Sequence, residues 1–166
     1  MTHSAVILLR VLNVLNLVVG ALFMIVLVTT FVAEPAVLGG LSRRFGAGAS
    51  TILHDARLVM ALSIATIPAA WLILTRLLAV LRTVESGDAF VAENGDRLRT
   101  MGWAMLAIQI LDLGYGYLAV RVSESSGEYL GWSFSPGGWL AVLLVFVLAR
   151  VWTQGAAMRD ELDATV

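Results

Sequence analysis

VLNVLNLVVGALFMIVLVTTFVA, residues 11–33, carries no charged side chain. A helix rises 1.5 Å per residue and the hydrocarbon core of a bilayer is roughly 30 Å thick, so about 20 mainly apolar residues cross it. This stretch meets that length with residues to spare. It is too long for a signal-peptide core, and no small-x-small cleavage site follows it, so a retained anchor is expected.

Outward from this window three more of the same kind appear, at about 58–80, 101–120 and 137–157. The second holds Pro68 and, near its end, Arg76; the third holds Asp112; the fourth holds Arg150. Of the 166 residues 59% are hydrophobic and 14% charged, with a mean hydropathy of +0.87. A soluble domain carries about 25% charged residues, so the surplus apolar surface calls for lipid as solvent. A lipid-facing barrel would show alternating strands of about ten residues, whereas these runs are continuous and rich in Leu and Ala. The expected fold is all-α: an integral membrane four-helix bundle, one domain over residues 1–166. The connections 34–57, 81–100 and 121–136 are too short for a soluble domain.

There is no Cys, which excludes disulfides, thiolate metal sites and cysteine nucleophiles. The net charge of −1 gives no whole-chain footprint for nucleic acid. All eleven basic residues are Arg. With both ends inside, Arg10, Arg82, Arg97, Arg99 and Arg159 lie in the cytoplasm with Arg76 at its edge, against Arg43, Arg44, Arg57 and Arg121 outside. Positive charge in short loops marks the cytoplasmic side, so both termini and loop 81–100 are expected to be cytoplasmic. Trp103 and Trp152 would then form an inner aromatic belt, Tyr117 and Trp139 an outer one.

SGDAFVAENGDRLRTMGW, residues 86–103, interrupts the apolar pattern. Ser86-Gly87 signals a turn, and Asp88 suits a helix N-cap. Val91, Leu98 and Met105 recur at heptad spacing beside Phe90 and Met101, and Glu93 and Arg97 form an i,i+4 pair in the favourable order. The expectation is a short amphipathic helix on the cytoplasmic membrane surface, bent or broken at Asn94-Gly95, feeding the third span. Its charges serve either topology alone or the docking of a partner.

The run Gly87-Asp88-Ala89-Phe90, Glu93-Asn94, Leu98-Arg99 and Gly102 resembles the middle signature of a bacterial four-span family, domain-of-unknown-function family 2975. Residues 143–166, LLVFVLARVWTQGAAMRDELDATV, resemble the family's ending: an apolar span, a Gly followed by an Arg, an acidic cluster and a terminal Thr-Val. Together these matches take in both inner segments and the last span, roughly a third of the chain. Ala89 departs from the Pro common at the family's first helical position. Members are often encoded beside a small Cro/CI-type helix-turn-helix regulator. The resemblance therefore implies a sensor or anchor in the membrane that holds or releases such a transcription factor, and it carries no catalytic residues.

Among individual residues Asp112 is the most costly, at about 2.5–3.5 kcal/mol for a charge at mid-bilayer. It is expected to face the bundle interior with a partner or a proton, and Arg150 is the charged candidate. Gln109, Asp112 and Gly116 share one helical face with Tyr115 adjoining, and Asn13, Asn16 and Gly20 repeat that spacing on the first span. Two such stripes facing each other would pack closely through interhelical hydrogen bonds, either as glue or as a ligand pocket. Gly114-Tyr115-Gly116 resembles part of a potassium-channel filter, but Asp112-Leu113 does not match the preceding Thr-Val and no pore helix is present. His54, Asp55 and Arg57 read as wet interface residues, or as an outward pocket with Tyr115, Tyr117 or Arg121.

With His3 and His54 alone, haem and zinc sites are not expected, and no catalytic motif is present. Neither enzyme activity nor a cofactor is implied. Partner binding is expected at Phe90, Glu93, Asn94, Arg97 and Arg99 of the loop, and at Arg159, Asp160 and Glu161 of the tail 158–166. Arg82, Arg97 and Arg99 make the loop basic, while Asp160, Glu161 and Asp163 make the tail acidic, so the two are expected to pair. The competing reading is a small transporter or channel using the polar bundle interior around Asp112.

Overall fold

A computed structural model of the chain describes residues 2–87, 90–127 and 131–163, with their side chains except those of residues 2, 3, 125, 160, 162 and 163. It is all-helical: α1 Thr2–Val32, α2 Glu34–Phe45, α3 Ala49–Glu85, α4 Ala92–Ser126 and α5 Pro136–Asp163, with a 3-10 turn Gly46–Gly48 before α3. The described residues contain no strand. Among the described residues four stretches are long and apolar enough to cross a membrane: Ser4–Val32, Glu34–Glu85, Ala92–Glu124 and Pro136–Arg159. Lipid offers no hydrogen bonds, so the backbone must satisfy itself within each crossing segment, and helices do this. The chain is an all-α membrane protein of the four-helix class.

The helices overrun the windows that hydropathy marks. The connection at 34–57 contains α2 and the first turns of α3. In α2, Glu34 lies in the first turn and Arg43 and Arg44 in the last, complementing the helix dipole. Gly46 ends it at φ +60, ψ −130, a conformation open to glycine. The loop expected over 81–100 shrinks to the few residues between α3 and α4, and α5 continues through the expected tail to Asp163. The amphipathic segment is present as the opening turns of α4. It is one continuous helix through Asn94-Gly95, not broken there. Asp88, expected as its cap, lies outside the described residues.

The chain divides into two compact units. The first comprises Met1–Asn16, Pro68–Gln109 and Ser135–Val166. Its core is Leu98, Met101 and Ala149, with Ile73, Leu77, Val145 and Trp152 packed on them. On α5 the buried Val142, Ala149 and Ala156 recur every seven residues, the spacing that keeps one seam facing its neighbours. Gly102 brings α4 close to α5: a Cβ there would lie 3.0 Å from the Phe146 ring. Trp103 meets the same ring edge-on at 5.2 Å.

The second unit comprises Leu17–Ile67 and Ile110–Phe134. Its buried apolar residues are Ala49, Ile52 and Leu53 at the start of α3 and Leu118, Ala119 and Val122 near the end of α4. Gly20 of α1 abuts Ile67 and Gly114 of α4 abuts Leu62, so small residues set helix approach here as membrane packing favours. Much of α1 and α5 exposes Leu, Val and Ile. In water such a surface would aggregate; in a bilayer it is the solvated face.

Candidate functional site

The polar end of the first unit is built around the turn from α3 to α4. Gly87 takes φ +82, and its N–H donates to the Val84 carbonyl at 3.2 Å. The reversal brings Thr83 of α3 against Asn94 of α4. Asn94 has no exposed surface, and its Nδ2 donates to the Thr83 hydroxyl oxygen at 2.7 Å. That hydroxyl donates in turn to the Val80 carbonyl at 2.7 Å, while Arg97 donates to Asn94 Oδ1 at 2.7 Å. Because the hydroxyl proton is committed to Val80, the oxygen facing Asn94 must accept, which fixes the amide's orientation. Successive bonds of this kind polarise one another in a low dielectric.

A second tie joins the turn to α5. Phe90 stacks on Trp152 with centroids 5.5 Å apart and planes at 30°. Gly155 leaves room for the ring, since a Cβ there would stand 3.2 Å from it. One turn along α4, a Cβ on Gly95 would overlap the Thr153 hydroxyl. Two cavities open beside these contacts. One, of about 310 Å³, lies between Gly95, Asp96 and Arg99 of α4 and Phe146, Arg150 and Thr153 of α5. The other, of about 330 Å³, is lined by Arg76, Glu93, Asp96, Arg97 and Thr100.

The second unit carries its own polar cluster. Arg57 Nε donates to the Thr30 hydroxyl at 3.1 Å and one terminal nitrogen to Glu34 Oε2 at 2.9 Å. The same nitrogen meets the Thr30 carbonyl, one of the acceptors that the end of α1 leaves without an intrahelical donor. The guanidinium lies 4.0 Å from the Phe31 ring centre, a cation–π contact. Asp55 is 1% exposed. Its Oδ1 is 3.5 Å from Arg121, and neither carboxylate oxygen has a hydrogen bond among the described residues. Arg121 also stands 6.0 Å over the Tyr117 ring. Deeper in α4, Asp112 Oδ2 accepts from the Trp132 indole at 3.3 Å, and a Cβ on Gly116 would overlap that same indole.

Several sequence expectations resolve differently. Asp112 takes an indole N–H, while Arg150 lines the 310 Å³ cavity and makes no ion pair among the described residues. The two polar stripes meet other partners: Gln109 lies against Gly138, Gly116 against Trp132 and Gly20 against Ile67. Asn13 Oδ1 is buried with no hydrogen bond among the described residues, Asn16 is half-buried, and so is Tyr115. The Glu93–Arg97 pair is not formed. Arg97 turns to Asn94, which Thr83 already holds within reach, and Glu93 stays exposed. The acidic turn of α5 expected to meet Arg97 is described only in part. Arg159 and Glu161 lie exposed on that turn, whereas the side chains of Asp160 and Asp163 lie outside the described residues.

His54 is exposed, but Asp55 is buried rather than wet and does join Arg121. Sequence reasoning missed Thr83, Trp132, Thr30 and Glu34. Thr83 and Thr30 sit on helices, where a Thr ordinarily bonds its own backbone, and nothing local marks Trp132 as folding onto α4.

The chain has no match among curated proteins or among solved structures. Residues 51–166 match the model of the family described as protein of unknown function, DUF2975. That match takes in the whole Gly87 to Gly102 signature, whose Phe90, Asn94, Leu98 and Gly102 are the residues that tie α3, α4 and α5 together in this structure. With well over half of its length matched, the chain belongs to the DUF2975 family.

Proposed function

We propose that this membrane protein is a sensor or anchor that binds and regulates a small cytoplasmic helix-turn-helix transcription factor. The docking face comprises residues 86–99 and the last turns of α5. The observation that carries the reading is the Phe90–Trp152 stack, reinforced by the close approach of Gly95 to Thr153. It ties Phe90, just before α4, to Trp152 of α5 within the first unit. On that face Phe90 is 49% exposed and Met158 60%, and Glu93, Asp96, Arg99 and Arg159 are exposed around them. Aromatic and apolar anchors rimmed by charge have the composition of a binding hot spot. Since those charges are exposed, binding is salt-sensitive.

The reading requires N-terminus, turn and C-terminus to be cytoplasmic. Reporter fusions at residues 90 and 166 then behave as internal and one at residue 128 as external; the reverse pattern ends the model. Phe90→Ala with Glu93→Arg, in protein that still inserts, abolishes co-purification of a co-expressed Cro/CI-type helix-turn-helix regulator of the kind the family resemblance implies, and changes expression of that regulator's targets. Unchanged capture and expression refute the docking face. The transporter or channel reading draws less support, because Asp112 is engaged by Trp132 and Gln109 lies against Gly138. Uptake or conductance by vesicles holding the pure protein alone would favour it.

A further inference from the structure

Arg99 and Arg150 face the same 310 Å³ cavity, and neither makes an ion pair or hydrogen bond with a described residue. For Arg150 this matters energetically. It lies fourteen residues into α5, about 21 Å along the helix, within an apolar stretch long enough to cross the membrane. A guanidinium at such a depth is costly unless it reaches an interfacial anion. Both side chains are exposed, so each has the freedom to meet a ligand from outside the protein.

The rest of the lining selects the ligand. Phe146 and Ala149 give the groove an apolar wall. On α5 the positions three and seven residues before Arg150 are Val147, 51% exposed, and Leu143, 59% exposed; they share its helical face. A cationic pocket thus opens onto an apolar track that leads along the span. Guanidinium groups match phosphate oxygens in a bidentate fork, and basic pockets between spanning helices suit lipid headgroups. Asp96 on the rim accepts hydrogen bonds from headgroup hydroxyls and disfavours a bare, multiply charged anion.

We propose that this groove is a binding site for an anionic phospholipid, its phosphate held between Arg99 and Arg150 and an acyl chain laid along Val147 and Leu143. Asp96 and Arg99 also border the docking face proposed above, so lipid binding is measured on the pure protein with no partner present.

The test uses the full chain in detergent, titrated with phosphatidylglycerol, with phosphatidylcholine of the same acyl chains, and with glycerol 3-phosphate. Bound ligand is read by native mass spectrometry and by thermal shift. Phosphatidylglycerol should bind preferentially, and Arg99→Gln with Arg150→Gln should weaken it on the order of tenfold. Arg43→Gln, an exposed charge on α2, should leave it unchanged. Equal binding of the two lipids overturns the proposal, as does a double variant that binds like the parent. Glycerol 3-phosphate matching the lipid in affinity replaces the lipid site with one for a soluble phosphate ester, which also overturns it. Should Arg150→Gln fail to insert, Arg99→Gln alone decides: about threefold weaker binding supports the site, and none refutes it.

Discussion

Among the described residues Asn94 and Asp55 are the two largest side chains sealed from solvent, at 0% and 1% exposure, and the protein treats them in opposite ways. Asn94, in the first unit, spends its amide on Thr83 and its carbonyl on Arg97, both at 2.7 Å. Asp55, in the second, has no hydrogen bond to either oxygen among the described residues, and its counter-charge Arg121 is 3.5 Å away and 44% exposed. A buried amide with both ends satisfied holds helices in register. A buried carboxylate with one loose counter-ion is weak evidence of stability, because desolvation consumes what attraction returns. The difference separates a fixed joint from a place where the fold tolerates strain.

The largest effect should come from breaking the joint. Asn94→Ala removes two short hydrogen bonds and leaves a cavity between α3 and α4. The expected loss is about 2–4 kcal/mol, a fall of roughly 5–15 °C in melting temperature for a chain of this size. A thermal melt in detergent measures it. Thr83→Ala should cost less, since the amide keeps Arg97. A melting temperature within a degree or two of the parent for Asn94→Ala would show the hydrogen-bond chain to be ornamental.

Asp55 provides the contrasting case. Arg121→Leu strands a buried carboxylate and should cost about 2 kcal/mol, less than a fully buried pair would because Arg121 is half in solvent. Asp55→Leu should be neutral or stabilising, and adding it to Arg121→Leu should restore stability. A double-mutant cycle reads the coupling directly. If Asp55→Leu proves as damaging as Asn94→Ala, the carboxylate is as well held as the amide and the contrast collapses.

These opposite treatments also mark how far the sequence could be read. Four spanning helices are legible because length and the exclusion of charge are linear properties of the chain. Of the heptad Val91, Leu98 and Met105, Leu98 is a core residue together with the adjoining Met101, while Val91 and Met105 are half-buried, since a heptad pattern reports which face is apolar but not how deeply each position sits. Asn94 reads locally as a helix breaker: its side chain ordinarily competes for nearby backbone. Here a distant Thr and a neighbouring Arg consume it, and α4 passes through without a break. Asp55 reads as a wet interface residue because nothing in its neighbours announces burial. Arg150 and Asp112 suggested a pair on charge alone, whereas depth along the helix and the side chains nearest each one decide contact.

The smallest effect belongs to Asp112, and it shows how little a charge at this depth has to contribute. Its bond to the Trp132 indole is 3.3 Å long, beyond the usual 2.7–3.2 Å range for N–H···O contacts. Trp132→Phe deletes the donor but keeps an aromatic ring against Gly116, so the expected loss is about 0.5–1 kcal/mol. Asp112→Asn retains an acceptor for the indole and removes the cost of a charge, and should leave the melting temperature unchanged or slightly raised. Gly116→Ala should exceed both, because a methyl group there overlaps the indole and the ring must leave α4. That ranking, Gly116→Ala above Trp132→Phe above Asp112→Asn, assigns the contact to ring packing rather than to charge. If Asp112→Asn instead destabilises more than Gly116→Ala, the carboxylate holds Trp132 in place electrostatically, and Asp112 joins Asn94 as a joint of the fold.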